Sequence, residues 1–162
     1  MRSPVVYYWG KASLANDIVK LFPDHVMYCE PFIGWWSLYF AKPPSKQEVI
    51  NDVNDHVVNF YKMIKSEFGI LRKLIQETPH SRSEHRKAKQ VLKNPEAYTP
   101  LKRAWAFWVQ CNMSFSGKIF WWYAYERGSS SLSNRIRNKR KLFNKHLLNR
   151  LELTDIECND AL

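Results

Sequence analysis

An α/β fold with a parallel sheet and a basic helical insertion is what this 162-residue sequence predicts, on three observations. Helix-period and strand-length apolar runs alternate through residues 1–68, the pattern of a parallel sheet covered by helices. After Gly69 the chain turns basic and helical in character. Near the C-terminus, Leu151-Glu152-Leu153-Thr154 alternates like a strand returning to the sheet.

Val5-Val6-Tyr7-Tyr8 is a short apolar opening segment. Ser13 is a candidate cap for a helix whose Leu14, Ile18 and Leu21 form one stripe, stopped by Pro23. Val26–Cys29 predicts a strand, residues 30–34 a tight turn, and Trp35–Phe40 a helix. Pro43-Pro44-Ser45 marks a loop before a second strand, Glu48–Asn51. From Asp55 to Phe68, Val57, Val58, Tyr61 and Ile64 recur at helical spacing. Leu71, Leu74 and Ile75 predict a short helix ending near Pro79. Residues 81–93 are polar and basic, and Pro95 and Pro100 bracket a loop. Leu101–Cys111 predicts a helix with Trp105 and Trp108 turned into the core. Residues 114–133, rich in Ser, Gly and aromatics, read as an ordered loop or ribbon, and the chain stops at what reads as the start of a helix. Two or three strands make a poor sheet, so the architecture reads as unfinished.

The net charge of +10 is unevenly spread. Residues 1–70 hold seven basic and seven acidic side chains, whereas residues 71–150 hold eighteen basic and four acidic ones. A neutral part joined to a strongly basic part suggests a small-molecule site beside a polyanion site. No apolar run reaches the ~18–20 residues of a membrane span, and Met1-Arg2-Ser3-Pro4 leads into no signal-peptide core, so a cytoplasmic location is expected. Three widely spaced cysteines suit reduced thiols and neither a disulfide framework nor a metal site.

The turn after the first strand is placed to hold an adenosyl group against backbone N–H donors. Asn51-Asp52-Val53-Asn54 ends the second strand, where nucleotide-binding α/β folds place a ribose-binding carboxylate. Asp52 or Asn54 is equally a candidate cap for the following helix.

Together these segments are specific. PVVYYWGKASL (4–14), YCEPFIGWWSLYF (28–40), VINDVN (49–54) and NMSFSGKIFWWYAYERG (112–128) closely resemble, in order and spacing, the motifs of the Dam-like, D12-class adenine-specific DNA methyltransferases. The resemblance implies a partial Rossmann-like S-adenosyl-L-methionine-dependent methyltransferase fold with a helical, basic target-recognition insertion. It implies a cofactor-binding half at 1–68, a DNA-binding subdomain at 69–150, and a return strand and helix start at 151–162. Tyr7 and Lys11 match the family's cofactor-contacting aromatic and lysine. Glu30, Pro31, Phe32 and Gly34 match its methionine-side turn, and Asp52 its ribose carboxylate. In the basic region Asn112, Ser116, Gly117, Lys118, Arg127, Arg135, Arg137 and Arg140 are expected contacts to double-stranded DNA. A restriction endonuclease is a possible functional partner, and no membrane or metal is expected. The alternative is a non-catalytic DNA- or RNA-binding protein of the same descent.

Two departures stand out. The family's catalytic Asp-Pro-Pro-Tyr-type segment is absent, and Lys42-Pro43-Pro44-Ser45 lacks both its acceptor and its aromatic. The chain is therefore expected to be an inactive fragment ending short of its catalytic strand. Trp9, Trp35, Trp36, Trp121 and Trp122 fall where the family has glycine. They mark a decayed cofactor site, a reshaped one, or UGA codons that the source reads as glycine and a different code prints as tryptophan. Glycine numbers only 5 of 162 residues, against a usual ~7%. The codons decide: UGA at all five positions is the outcome of the third explanation, and UGG eliminates it.

Overall fold

The computed structural model describes residues 3–5, 12–34, 38–124 and 131–161. Three short strands, β1 (Met27–Glu30), β2 (Gln47–Asn51) and β3 (Thr154–Glu157), form a parallel sheet in the order β1-β2-β3. Cys29 pairs with Val49, and Val49 with Asp155, so β2 is the central strand. Parallel neighbours need crossover connections. Among the described residues the first contains only the single-turn helix α2 (Leu38–Ala41), whereas the second carries everything from residue 52 to residue 153.

That second crossover includes the basic stretch expected at residues 69–150. It begins with α3 (Asp55–Ser66) and α4 (Phe68–Glu77), separated by Glu67, and continues through α5 (Arg82–Lys93), α6 (Pro100–Met113), α7 (Ser131–Lys141) and α8 (Lys145–Glu152). Another helix, α1 (Ala12–Val19), precedes β1. Proline at the first turn of α6 costs no hydrogen bond, because that N–H has no intrahelical partner, and the Thr99 hydroxyl caps it by accepting from Lys102 N. Trp105 and Trp108 on α6 are buried, as their spacing predicts. The Trp105 indole donates to Thr78 Oγ1 at 2.7 Å, which satisfies its polar tip inside the core. Phe60 on α3 meets Phe107 at 5.3 Å between ring centroids and Phe143 at 5.9 Å. Ile33 of the turn after β1, Tyr39 and Phe40 of α2 and Ile50 of β2 belong to the same buried cluster as Phe107, Phe143, Leu147 and Leu151. One contiguous core thus joins the sheet to its insertion.

Inside this core sits a charged triad. Glu48 on β2 accepts from Lys42 Nζ at 2.7 Å and from Arg150 through both guanidinium nitrogens, one of them at 3.0 Å. The three side chains are between 2 and 9% exposed. Lys42 also donates to Pro43 O and Ser45 Oγ, both at 2.7 Å, and Arg150 donates to Tyr39 O at 2.8 Å. Burial alone would raise the Glu48 carboxyl, but the hydrogen bonds from Arg150, Lys42 and Ser45 N outweigh it and hold it below its ordinary value.

Four expectations differ from the structure. Ser13 lies inside α1, which begins at Ala12, and Leu14 and Leu21 are exposed. The return strand is Thr154–Glu157, because Leu151 is buried as the last core position of α8. Residues 158–161 are neither helix nor strand. Residues 81–93 form a full helix that charge density hid.

Truncating Glu48 to alanine would strand two buried cations. Losing one side of such a network costs about 3–5 kcal/mol. Urea unfolding of Glu48→Ala is therefore expected to show a loss of that size. The parent should also lose the triad's stabilisation as pH falls through the depressed Glu48 value. A loss below about 1 kcal/mol is the surface-pair result and would show that the triad is not load-sharing.

Candidate functional site

The turn from β1 toward α2 and the end of β2 lie side by side at the C-terminal edge of the sheet, where open α/β sheets bind ligands. Ile33 N donates to Asn51 O at 3.0 Å, and Asn51 Nδ2 donates to Pro31 O at 3.1 Å, stitching the two segments together. The Asn51 side chain also bonds both ways with Asn159, at 2.9 Å each, so residues beyond β3 close over the same edge.

Gly34 and Asp52 make the decisive contact. Gly34 N donates to Asp52 Oδ2 at 2.9 Å, and Asn54 N donates to Oδ1, also at 2.9 Å. A Cβ on residue 34 would lie 2.7 Å from Asp52 Oδ2, so only glycine permits this approach. Asn54, not Asp52, caps α3, its Oδ1 accepting from His56 N at 3.0 Å. That separates the two roles that sequence alone left open. A carboxylate offers about four acceptor positions, and two remain on Asp52 after its backbone donors are counted.

Glu30 is buried at the end of β1. Its Oε2 accepts from Tyr39 N at 2.7 Å and Tyr28 Oη at 3.0 Å, while the equally buried Oε1 has no partner among the described residues. Burial raises the carboxyl to about 7 against the pull of those hydrogen bonds. Pro31 and Phe32 are exposed on the turn, Phe32 by 47%. Tyr7, Lys11, Trp9, Trp35 and Trp36 lie outside the described residues.

On the basic side, of the loop or ribbon expected over 114–133, residues 114–124 form a short ribbon, 125–130 lie outside the described residues, and 131–133 instead open α7. Ser114 bridges Tyr123 in antiparallel fashion, and Ala124 N donates to Met113 O at 2.8 Å. Ser116 (φ 55°), Gly117 (φ 70°) and Phe120 (φ 64°) take its left-handed positions. Trp121 and Trp122 do not, so the backbone there makes no demand for glycine. Ser116 is exposed, and Lys118 Nζ sits 4.5 Å from the Trp121 ring centroid. Asn112 is only 2% exposed and donates to Trp108 O at 2.9 Å, so it supports α6 and presents nothing to a partner. Gly117 is buried in the turn. Arg140 is half-buried and donates to Thr78 O, fastening α7 to the end of α4. Arg137 is exposed and bonds Asn134 on its own helix. Arg127 lies outside the described residues, as does the side chain of Arg135.

The sequence reading passed over α5. Ser81 caps it by accepting from Glu84 N at 3.2 Å, and the Ser-x-x-Glu spacing of residues 81–84 was the available signal. Its Arg82, Arg86 and Lys89 lie along one side of a cleft against the ribbon. Among the described residues no helix is long and apolar enough to cross a membrane, and no group of three or more His, Cys, Asp or Glu is placed to hold a metal ion.

Residues 7–159 match the family described as D12 class N6 adenine-specific DNA methyltransferase. The chain is 28% identical over 116 residues to the DNA N-6-adenine-methyltransferase of Escherichia phage P1, an alignment covering 69% of this chain and 15% of that protein. It is 34% identical over 58 residues to a DNA adenine methylase of Vibrio cholerae serotype O1, covering 36% of this chain and 21% of the relative. The match thus spans about a fifth or less of the length of these relatives.

Glu30 sets a test of the turn's electrostatics. Between its ordinary 4.5 and about 7, the folded chain keeps a proton that the unfolded chain has lost. Stability therefore falls as pH rises through that window. Glu30→Gln should remove this fall, so its urea midpoint gains on the parent's with rising pH. Parallel curves would show that the carboxyl is not held protonated.

Proposed function

The chain belongs to the D12 class of N6 adenine-specific DNA methyltransferases, and we propose that it supplies the cofactor half-site and the target-recognition part of such an enzyme. On this reading residues 1–68 hold S-adenosyl-L-methionine, residues 69–150 contact duplex DNA, and residues 151–162 return to the sheet. The contact between Gly34 and Asp52 carries the cofactor half of the proposal. It leaves acceptor positions on a fixed carboxylate at the end of β2, where a ribose presents two adjacent hydroxyls as donors.

The residues present fit an adenosyl cofactor. Asp52 would take the ribose, and the side-chain-free approach at Gly34 keeps the turn against it. The buried Oε1 of Glu30, without a hydrogen-bond partner among the described residues, is an acceptor suited to the amino group of the methionine moiety. Tyr7 and Lys11 complete the set by family position. The cofactor supplies an electrophilic methyl group, and the acceptor in this family is the exocyclic amine of an adenine turned out of the duplex. Orienting that amine needs a hydrogen-bond acceptor and a stacking aromatic of the Asp-Pro-Pro-Tyr type, which these 162 residues lack. The chain as given therefore binds cofactor and DNA without turning over.

For the DNA half, the excess of basic side chains in residues 71–150 supports phosphate contact by the half-buried Lys118 and the exposed Arg137, together with Arg127 and Arg135. Ser116 at the ribbon's tip is a candidate for contact with base edges or backbone.

Titration calorimetry with S-adenosyl-L-methionine tests this. The 162-residue chain is expected to bind it, Asp52→Asn to bind it more weakly, and neither to methylate adenine-containing duplex DNA. Absence of cofactor binding in the folded parent would favour the alternative, a non-catalytic nucleic-acid-binding protein. Measurable methylation would overturn the prediction of inactivity.

A further inference from the structure

Between α5 and the 114–124 ribbon lies an open cleft of about 470 Å³, within the size range of small-ligand sites. Arg82, Arg86 and Lys89 follow one another along its helical wall at spacings of four and three residues, which places them on one helix face. Trp121, Trp122 and Tyr123 form the facing wall. Among the described residues no carboxylate lines the cleft. The Glu84 carboxylate of α5 is occupied elsewhere, by Lys87 at 2.7 Å. Arg86 has no ion-pair partner among the described residues, and Arg82 faces the Tyr123 ring at 5.9 Å.

The aromatic wall is unusual for a surface. Trp122 is 60% exposed, and its ring lies 4.6 Å from that of Trp121 and 5.7 Å from that of Phe115, which is itself 52% exposed. Trp121 is anchored from behind. Lys118 lies over its ring at 4.5 Å, and Lys89 donates to its carbonyl at 3.5 Å. His85 adds no charge to the floor. Its Nε2 is paired with Ser114 Oγ at 2.9 Å, and burial, reinforced by Lys89, pushes the ring down to about 4.

The exposed Trp122 indole beside a row of cations with no carboxylate partner among the described residues fits a ligand with flat π-faces and a repeating negative charge. Arg82 to Lys89 covers a rise of about 10 Å, enough to pass two or more successive phosphates. Bases inside a duplex keep their faces covered, so an indole reaches them only where the strand is unpaired. We infer that this cleft binds an unpaired stretch of DNA strand, stacking a base on Trp122 and holding the flanking phosphates with Arg82, Arg86 and Lys89. The inference rests on the DNA-binding reading above for its choice of DNA, and it is drawn for the chain with tryptophan at 121 and 122. It adds a second mode of contact to that reading, on a helix that none of the expected DNA contacts occupies.

Fluorescence polarisation with the full 162-residue chain separates the two modes, using labelled oligo-dT, a blunt duplex and oligo-rU. Trp122→Ala, a change at an exposed position that spares the core, should weaken oligo-dT binding roughly 5- to 100-fold and leave duplex affinity unchanged. Trp122→Phe should restore most of the loss. Replacing both Arg82 and Arg86 with alanine should reduce the slope of log affinity against log salt by about 1.4 on the single strand. Oligo-dT binding that is indifferent to Trp122 overturns the inference, as does tighter binding of oligo-rU than of oligo-dT. Duplex binding without oligo-dT binding removes the cleft and leaves the proposed function standing. Oligo-dT binding that depends on Trp122 without any duplex binding supports the cleft and removes duplex recognition.

Discussion

Glu48 places a negative charge on the central strand, and taking it out of water costs several kcal/mol unless cations follow it in. Two do: Lys42 from the loop just before β2, six residues away in sequence, and Arg150 from α8, 102 residues away. Each cation is then fixed by further acceptors, Pro43 O and Ser45 Oγ for one and Tyr39 O for the other. The Tyr39 hydroxyl in turn bonds Thr154 Oγ1 at 2.7 Å, at the first residue of β3. This polar knot sets where α8 ends and where β3 enters the sheet. Apolar packing around it supplies cohesion without direction, since hydrophobic burial tolerates small slides that a forked guanidinium does not.

The same geometry explains how the ligand edge is held. Glu30, Gly34 and Asp52 come from segments that would drift apart on a bare three-stranded sheet. Asn51 ties the turn to the chain beyond β3, and Tyr39 N–H ties Glu30 to the start of α2. Asp52 is thereby a fixed acceptor and not a loop carboxylate searching for partners. Pre-organisation of this kind lowers the ordering cost that a ligand would otherwise meet on binding.

Much of this was legible in the sequence, and the misses have physical causes. Both N-terminal strands, α3, α4 and α6 were legible from their apolar runs and spacing, and the loop between α2 and β2 from Pro43-Pro44, because α3 and α4 bury one face on a shared core and α6 is buried from Ala104 to Met113. The family motifs located Gly34 and Asp52, but not their hydrogen bond, since no local pattern reports a contact eighteen residues apart. Residues 81–93 concealed a helix because only His85, Ala88, Val91 and Leu92 face inward, leaving a surface so charged that composition dominated. Leu151 misled for the opposite reason. It is apolar and alternates with its neighbours, yet its burial is that of a helix end, and Leu153, its apparent strand partner, is 85% exposed. Asn112, Gly117 and Arg140 are expected DNA contacts on the family resemblance. Asn112 Nδ2 instead donates to Trp108 O, Arg140 donates to Thr78 O, and Gly117 is buried, which only coordinates show.

The order of the strands bears on how the chain assembles. β1 and β2 are separated by a short connection, but β3 meets β2 only after all of α3 to α8 has been made. Closing so long a loop costs entropy before any sheet hydrogen bond repays it. The helices meet no such delay, because α5 and α6 are sequence neighbours that pack on one another, as are α3 and α4. The insertion is therefore the part able to organise first, with the sheet completed on top of it. The element that looks like an addition to a nucleotide-binding fold acts in assembly as its foundation, and the ligand edge comes into being with the last strand.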